Sequence, residues 1–217
     1  MDVSILGLTR ARDISQGSPN TPRQLSVNPN GDLLVAQSMA ALAELVRQGE
    51  SWSKLSDEVA CVTAIPTTTA AHALWNGEPQ GGKSYIIDSL GWQCVTSAAA
   101  ASKFAMMVMI DNKFYTAQPS TADTAVAIAS RSGRGAYTGR AKSSKTVTVV
   151  DNGWMSVGNS IETALTATGG AQLEAVLNGS LILQPQQLLC VAVVAVNTTA
   201  TGKVSFRWSE QQMAIQG

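Results

Sequence analysis

A chain of 217 residues carrying 15 basic and 15 acidic side chains, with only 14% charged residues in all, has no net charge and a sparse ionic surface. That excludes a globally basic nucleic-acid binder and a charge-swollen disordered chain. Alanine, serine and threonine supply about a third of the sequence, so the surface is small-chained and hydroxylated, with little repulsion between copies.

The length suits one generous domain or two small ones, able to bury roughly 70% of the extended-chain surface without a disulfide or metal staple. The start, Met1-Asp2-Val3-Ser4-Ile5-Leu6-Gly7, has neither the basic nor the apolar region of a signal peptide. Two turn clusters, Gly17-Ser18-Pro19-Asn20-Thr21-Pro22 and Asn28-Pro29-Asn30-Gly31-Asp32, predict an extended N-terminal arm over 1–32, ahead of a single domain over 33–217. From Leu33 to Val46 the apolar positions fall on one helical face, with Asp32 as N-cap and Gly49 as terminator. A strand over Leu42–Val46 is the alternative.

Beyond residue 50 short apolar or β-branched runs recur between turn residues. They are Val59–Ile65, His72–Trp75, Ser84–Leu90, Phe104–Ile110, Lys145–Val150, Gly179–Leu183, Leu188–Val196 and Lys203–Trp208. The longest apolar stretch, Leu188–Val196, is less than half of a bilayer span, so a soluble chain is expected. Lys203–Trp208 alternates, placing Val204, Phe206 and Trp208 on one face and Lys203, Ser205 and Arg207 on the other. The last two runs flank Asn197–Gly202, which reads as a hairpin-like loop. About eight strands with few helices predict an all-β fold: an antiparallel, jelly-roll-like β-sandwich with an N-terminal arm and one short helix.

Gly77-Glu78-Pro79-Gln80-Gly81-Gly82-Lys83-Ser84 satisfies the phosphate-loop pattern G-x-x-x-x-G-K-[ST], and Met106–Asp111 imitates the strand that ends at a second magnesium ligand. A phosphate loop needs a helix starting at the lysine, whose amides and dipole hold the anion. Tyr85-Ile86-Ile87 is β-branched and aromatic, and Pro79 removes an amide, so a Gly-rich turn feeding a strand is the better reading. His72 is the single histidine and stands outside any metal-ligand or triad spacing. The acids form no paired motif, so no catalytic residue, cofactor or metal ligand is assigned. Cys61, Cys94 and Cys190 each lie in an apolar stretch and read as buried reduced thiols. The sequons at Asn178 and Asn197 carry no weight without a secretion signal.

One charge asymmetry remains. Between Asp123 and Asp151 there is no acid, while Arg131, Arg134, Arg140, Lys142 and Lys145 are set among glycines and serines. This reads as a flexible basic loop, either balanced by acids elsewhere in the fold or docking on an acidic patch of a neighbouring subunit. The five cations are the candidate partner contacts. With Tyr137 the one aromatic among them, direct nucleic-acid contact is poorly supported.

Three features give the chain a familiar texture: Ala64-Ile65-Pro66-Thr67-Thr68-Thr69-Ala70-Ala71 followed by Leu74-Trp75-Asn76-Gly77 and Gly81–Ile87, the alanine tract between Ser97 and Ser102, and the closing Leu188–Trp208 segment. Over about residues 43 to 210 the sequence resembles the small β-sandwich or jelly-roll virion structural proteins of tailed phages that decorate or cement capsids. The resemblance carries over no functional residue. It implies a non-enzymatic capsid decoration protein in the virion, self-associating as a homotrimer and docking on the major capsid protein or neighbouring virion subunits, with no membrane partner. The first alternative is a receptor- or carbohydrate-binding head of a tail fibre or spike, stacking sugars on an exposed Trp52, Trp75, Trp92, Trp154 or Trp208. The second is a nucleotide-binding protein using the Gly77–Ser84 loop.

Overall fold

A computed structural model describes residues 6–8, 22–24, 41–96, 102–124, 126–133, 135–150, 153–162, 171–195 and 200–213. The chain divides into two compact units, Met1–Ala40 and Ala41–Gly217, so the division falls after Ala40 rather than after Asp32. In the first unit β1 (Leu6–Leu8) pairs antiparallel with β2 (Pro22–Gln24), a short ribbon where an extended arm was expected. The rest of the expected arm, the proposed Asp32 cap and the first part of the expected helix lie outside the described residues.

The second unit opens with α1 (Ala41–Gln48). Gly49 ends it at φ +80°, donating its amide to the Val46 carbonyl while Glu50 donates to Leu45. Only a residue without Cβ takes that left-handed turn cheaply. Eleven strands follow: β3 (Ser51–Leu55), β4 (Val59–Ala60), β5 (Thr69–Trp75), β6 (Lys83–Thr96), β7 (Ser102–Asp111), β8 (Ala129–Ser130), β9 (Lys142–Thr148), β10 (Met155–Glu162), β11 (Gln172–Leu183), β12 (Leu188–Ala195) and β13 (Thr201–Gln212).

They form two antiparallel sheets. The first has the order β10-β7-β12-β5-β9, the second β11-β6-β13-β3-β8, with β4 also pairing β13. The pairs β3–β13, β5–β12, β6–β11 and β7–β10 nest inside one another along the chain. Such nesting is what results when one long hairpin is rolled into two layers, and it defines a jelly roll. The expected sandwich is therefore present. The expected hairpin over Leu188–Trp208 is not, because β12 lies in the first sheet and β13 in the second, while most of the expected loop lies outside the described residues.

Between the layers pack Leu74, Phe104, Met106, Val108, Leu189, Val191 and Val193 from the first sheet, against Trp52, Tyr85, Ile87, Leu90, Trp92, Val204, Phe206 and Trp208 from the second. The alternation of Lys203–Trp208 holds, with Val204, Phe206 and Trp208 fully buried. β12 does not alternate because both its faces are covered. Leu189, Val191 and Val193 face the main core, whereas Leu188 and Cys190 join a second cluster with Ala73, Trp75, Met109, Tyr115, Val147 and Val149. A strand buried on both sides reads as one continuous apolar run. All three cysteines are buried free thiols. The pKa of Cys61 is pushed up to about 12, by burial first and then by neighbouring Cys94.

Candidate functional site

The basic segment is built into the fold. Within it β8 pairs with β3, the Arg131 amide donates to the Ser51 carbonyl, and β9 forms an outer strand of the first sheet. Tyr137 plugs one end of the sandwich: its hydroxyl donates to Glu210 Oε1 at 2.7 Å and accepts the Ala141 amide at 2.7 Å. The expectation of a flexible loop is thus corrected, because a half-buried, doubly hydrogen-bonded tyrosine and two strand pairings fix what glycine and serine content suggested was loose.

Two of the five cations are ion-paired within the chain. Arg131 pairs with Asp88, the extra residue where the β6–β13 register shifts between Arg207 and Trp208. Asp88 is buried and also accepts from Ser209 Oγ at 3.1 Å. Burial pushes its carboxyl above the usual range, and Arg131 and Ser209 pull it back. Lys145 pairs with Asp57 at 3.1 Å. Arg140 and Lys142 are exposed and make no ion pair with a described residue, and Arg134 lies outside the described residues. Acids far along the chain therefore balance part of the basic run, while Arg140 and Lys142 stay exposed.

The Gly77–Ser84 segment is a turn followed by a strand. The Gly82 amide donates to the Pro79 carbonyl at 2.8 Å, β6 begins at Lys83, and Lys83 Nζ is engaged by Glu50 Oε2 at 2.6 Å. Without a helix N-terminus the phosphate loses its amide cradle, and its lysine is already paired. Saturating Mg-ATP should accordingly leave the melting temperature of the native chain unchanged. A rise of several degrees that disappears in Lys83→Ala would restore the nucleotide reading.

The stacking platform fares no better. Trp52, Trp75, Trp92 and Trp208 are buried, and Trp154 is half-buried against the second cluster. His72 is buried too, its Nδ1 2.9 Å from Ser56 Oγ, whose oxygen accepts the Val204 amide at 2.8 Å. It holds β5 to β13 rather than facing solvent.

The outward face of the second sheet carries a feature that the sequence did not announce. Cross-strand register sets three rows there: Gln172, Gln93 and Lys203; Glu174, Gly91 and Ser205; Val176, Ser89 and Arg207. The middle row is low because Gly91 and Ser205 are small. A depression of about 280 Å³ results, walled by Lys203 and Gln93 on one side and by Arg207 and Glu174 on the other, with Leu55 at its end. Arg207 donates to Glu174 Oε1 at 3.0 Å and reaches Ser89 Oγ at 3.4 Å.

The two flanks of the sandwich differ. On one, β9 is sealed: Ala122 bridges Ser144, the Asp123 amide donates to Ser143 at 2.9 Å, and Ser120 Oγ donates to the Lys145 carbonyl at 3.0 Å. On the other, the outermost strands are β10 and β11, and no described strand pairs with the outer edge of either. These edges approach each other at Gly158, beside the Glu174 carbonyl. They carry exposed Met155 (44%) and Val176 (65%). No known protein family, curated protein or solved structure matches this chain.

Proposed function

We propose that this chain is a non-enzymatic structural subunit, a capsid decoration protein of a virion that self-associates and docks on a protein lattice. The reading rests on the inequality of the two flanks. Edge strands normally carry a covering segment, inward charges or proline that blocks further pairing. β9 has such a cover. β10 has no proline and no lysine, with Glu162 at its end as its one charge, and β11 presents an apolar side chain at Val176. A zero net charge adds no long-range repulsion between copies. Within the basic segment, Arg140 and Lys142 are the described cations left to meet an acidic patch on the lattice.

Light scattering on the purified chain is expected to give a mass near three times 22.7 kDa. Val176→Lys, which puts a charge on the β11 edge, should shift that mass toward the monomer without changing the melting temperature. A chain that is monomeric at high concentration with either residue at 176 overturns the reading.

A further inference from the structure

We propose that the depression over Gly91 is a recognition site for a sugar ring bearing one carboxylate. Lys203, Ser205 and Arg207 alternate on β13 and share its outward face, successive Cα atoms being roughly 7 Å apart. A carboxylate resting over Ser205 has an ammonium on one side, a guanidinium on the other and a hydroxyl beneath it. Such charge-assisted contacts are the stronger kind of hydrogen bond. Arg207 is already oriented by Glu174 and Ser89, whereas Lys203 has no described partner to give up.

The rest of the depression suits the body of a sugar. Gly91 lies beside Ser205 in the register, so the floor continues across to β11 with no side chain in the way. Gln93 and Gln172 offer amides that both donate and accept, and Glu174 accepts, which matches a set of ring hydroxyls. Leu55 supplies apolar surface for a C–H face. Lys203 and Arg207 against Glu174 leave one net positive charge, which fits a monoanion better than a phosphate dianion held beside Glu174. The volume fits a single ring, and with every tryptophan buried or half-buried, charge rather than stacking selects the ligand. An open site of this kind binds weakly, in the millimolar range.

Amide-resolved NMR titration with glucuronate, glucose and acetate tests this, independently of self-association. Glucuronate is expected to give saturable shifts centred on Gly91, Lys203, Ser205 and Arg207, with glucose giving none and acetate binding at least tenfold more weakly. Lys203→Ala should weaken glucuronate tenfold or more. Gly91→Ala should do likewise while folding normally, because its added Cβ would sit 3.7 Å from Ser205 Cβ and 3.9 Å from the Leu173 carbonyl, ordinary contact distances. Equal response to glucose, acetate binding as tight as glucuronate, or full affinity in either folded variant overturns the proposal. Tighter binding of a short acidic peptide than of glucuronate also overturns it, in favour of a protein partner.

Discussion

Trp208→Ala should lower the unfolding free energy by roughly 4–5 kcal/mol, at the upper end of what truncating a buried aromatic costs. Two losses combine. The indole is fully buried in a chain of rings, with Tyr85 at 6.1 Å, Tyr137 at 6.3 Å and Trp52 at 4.8 Å from Tyr137 in turn. Its N–H also donates to Glu210 Oε1 at 3.1 Å. Glu210 is a buried carboxylate whose pKa burial pushes up, held down by Tyr137 and Trp208. Removing the indole leaves that group short of a donor as well as opening a cavity. Trp208→Phe separates the terms, since it keeps most of the apolar contact and should cost about 1–2 kcal/mol for the lost N–H. Urea denaturation of the three proteins measures both. A loss below about 1 kcal/mol for the alanine variant would mean that this end of the sandwich is not close-packed.

How much of this fold was legible depends on what each strand buries. Lys203–Trp208 was readable because one face meets the core and the other meets water, which writes a period of two into the residues. Leu188–Val196 was readable as apolar, but its partners were not. Hairpins and sheet-crossing arches leave the same two flanking runs, and only the pairing of β12 with β5 and β7 distinguishes them. β3 and β10 escaped because each offers few apolar residues. Trp52 is the one inward-facing apolar anchor in Ser51–Leu55, where Lys54 is also buried. In β11, Leu173 and Ala175 face the core while Gln172, Glu174 and Val176 face outward, an alternation that the apolar Val176 blurs in the sequence. The Asn178–Gly179 insertion, both residues at positive φ, broke the run just beyond it.

The candidate sites were less legible, for a related reason. Charge runs show in a sequence, while charge pairs do not. Arg131 and Asp88 are joined through a bulge in β6, and Lys145 meets Asp57 across the sandwich, so a run of five cations overstated the free charge. Conversely, the depression is made by register. Gly91, Ser205 and Glu174 come from three strands, and nothing in their spacing along the chain announces a common floor. The Gly77–Ser84 pattern fails in the opposite sense: its spacing is right, but β-branched residues after Lys83 direct the backbone into a strand.

His72 gives the second large prediction, because its burial leaves no solvent to stabilise a positive charge. Burial lowers its pKa from 6.5 to about 4. Between those values the unfolded chain binds a proton that the folded chain does not, so stability falls as the pH drops from 6.5 toward 4. The shift is worth about 3 kcal/mol at its low-pH limit. Asp88, Asp123 and Glu210 act with the opposite sign. Burial raises each of them, so the folded chain takes up their protons first and acid favours it until they are protonated in both states. Raw stability against pH therefore mixes opposing slopes, and the informative quantity is a difference between two proteins. Asn at position 72 places an amide oxygen near the site of Nδ1, within reach of Ser56, but does not titrate. The native chain should lose about 3 kcal/mol relative to His72→Asn between pH 7 and pH 4, with the three acids cancelling from the comparison. Parallel curves would show that His72 takes up its proton inside the folded sandwich, and that β5 is not sealed against β13.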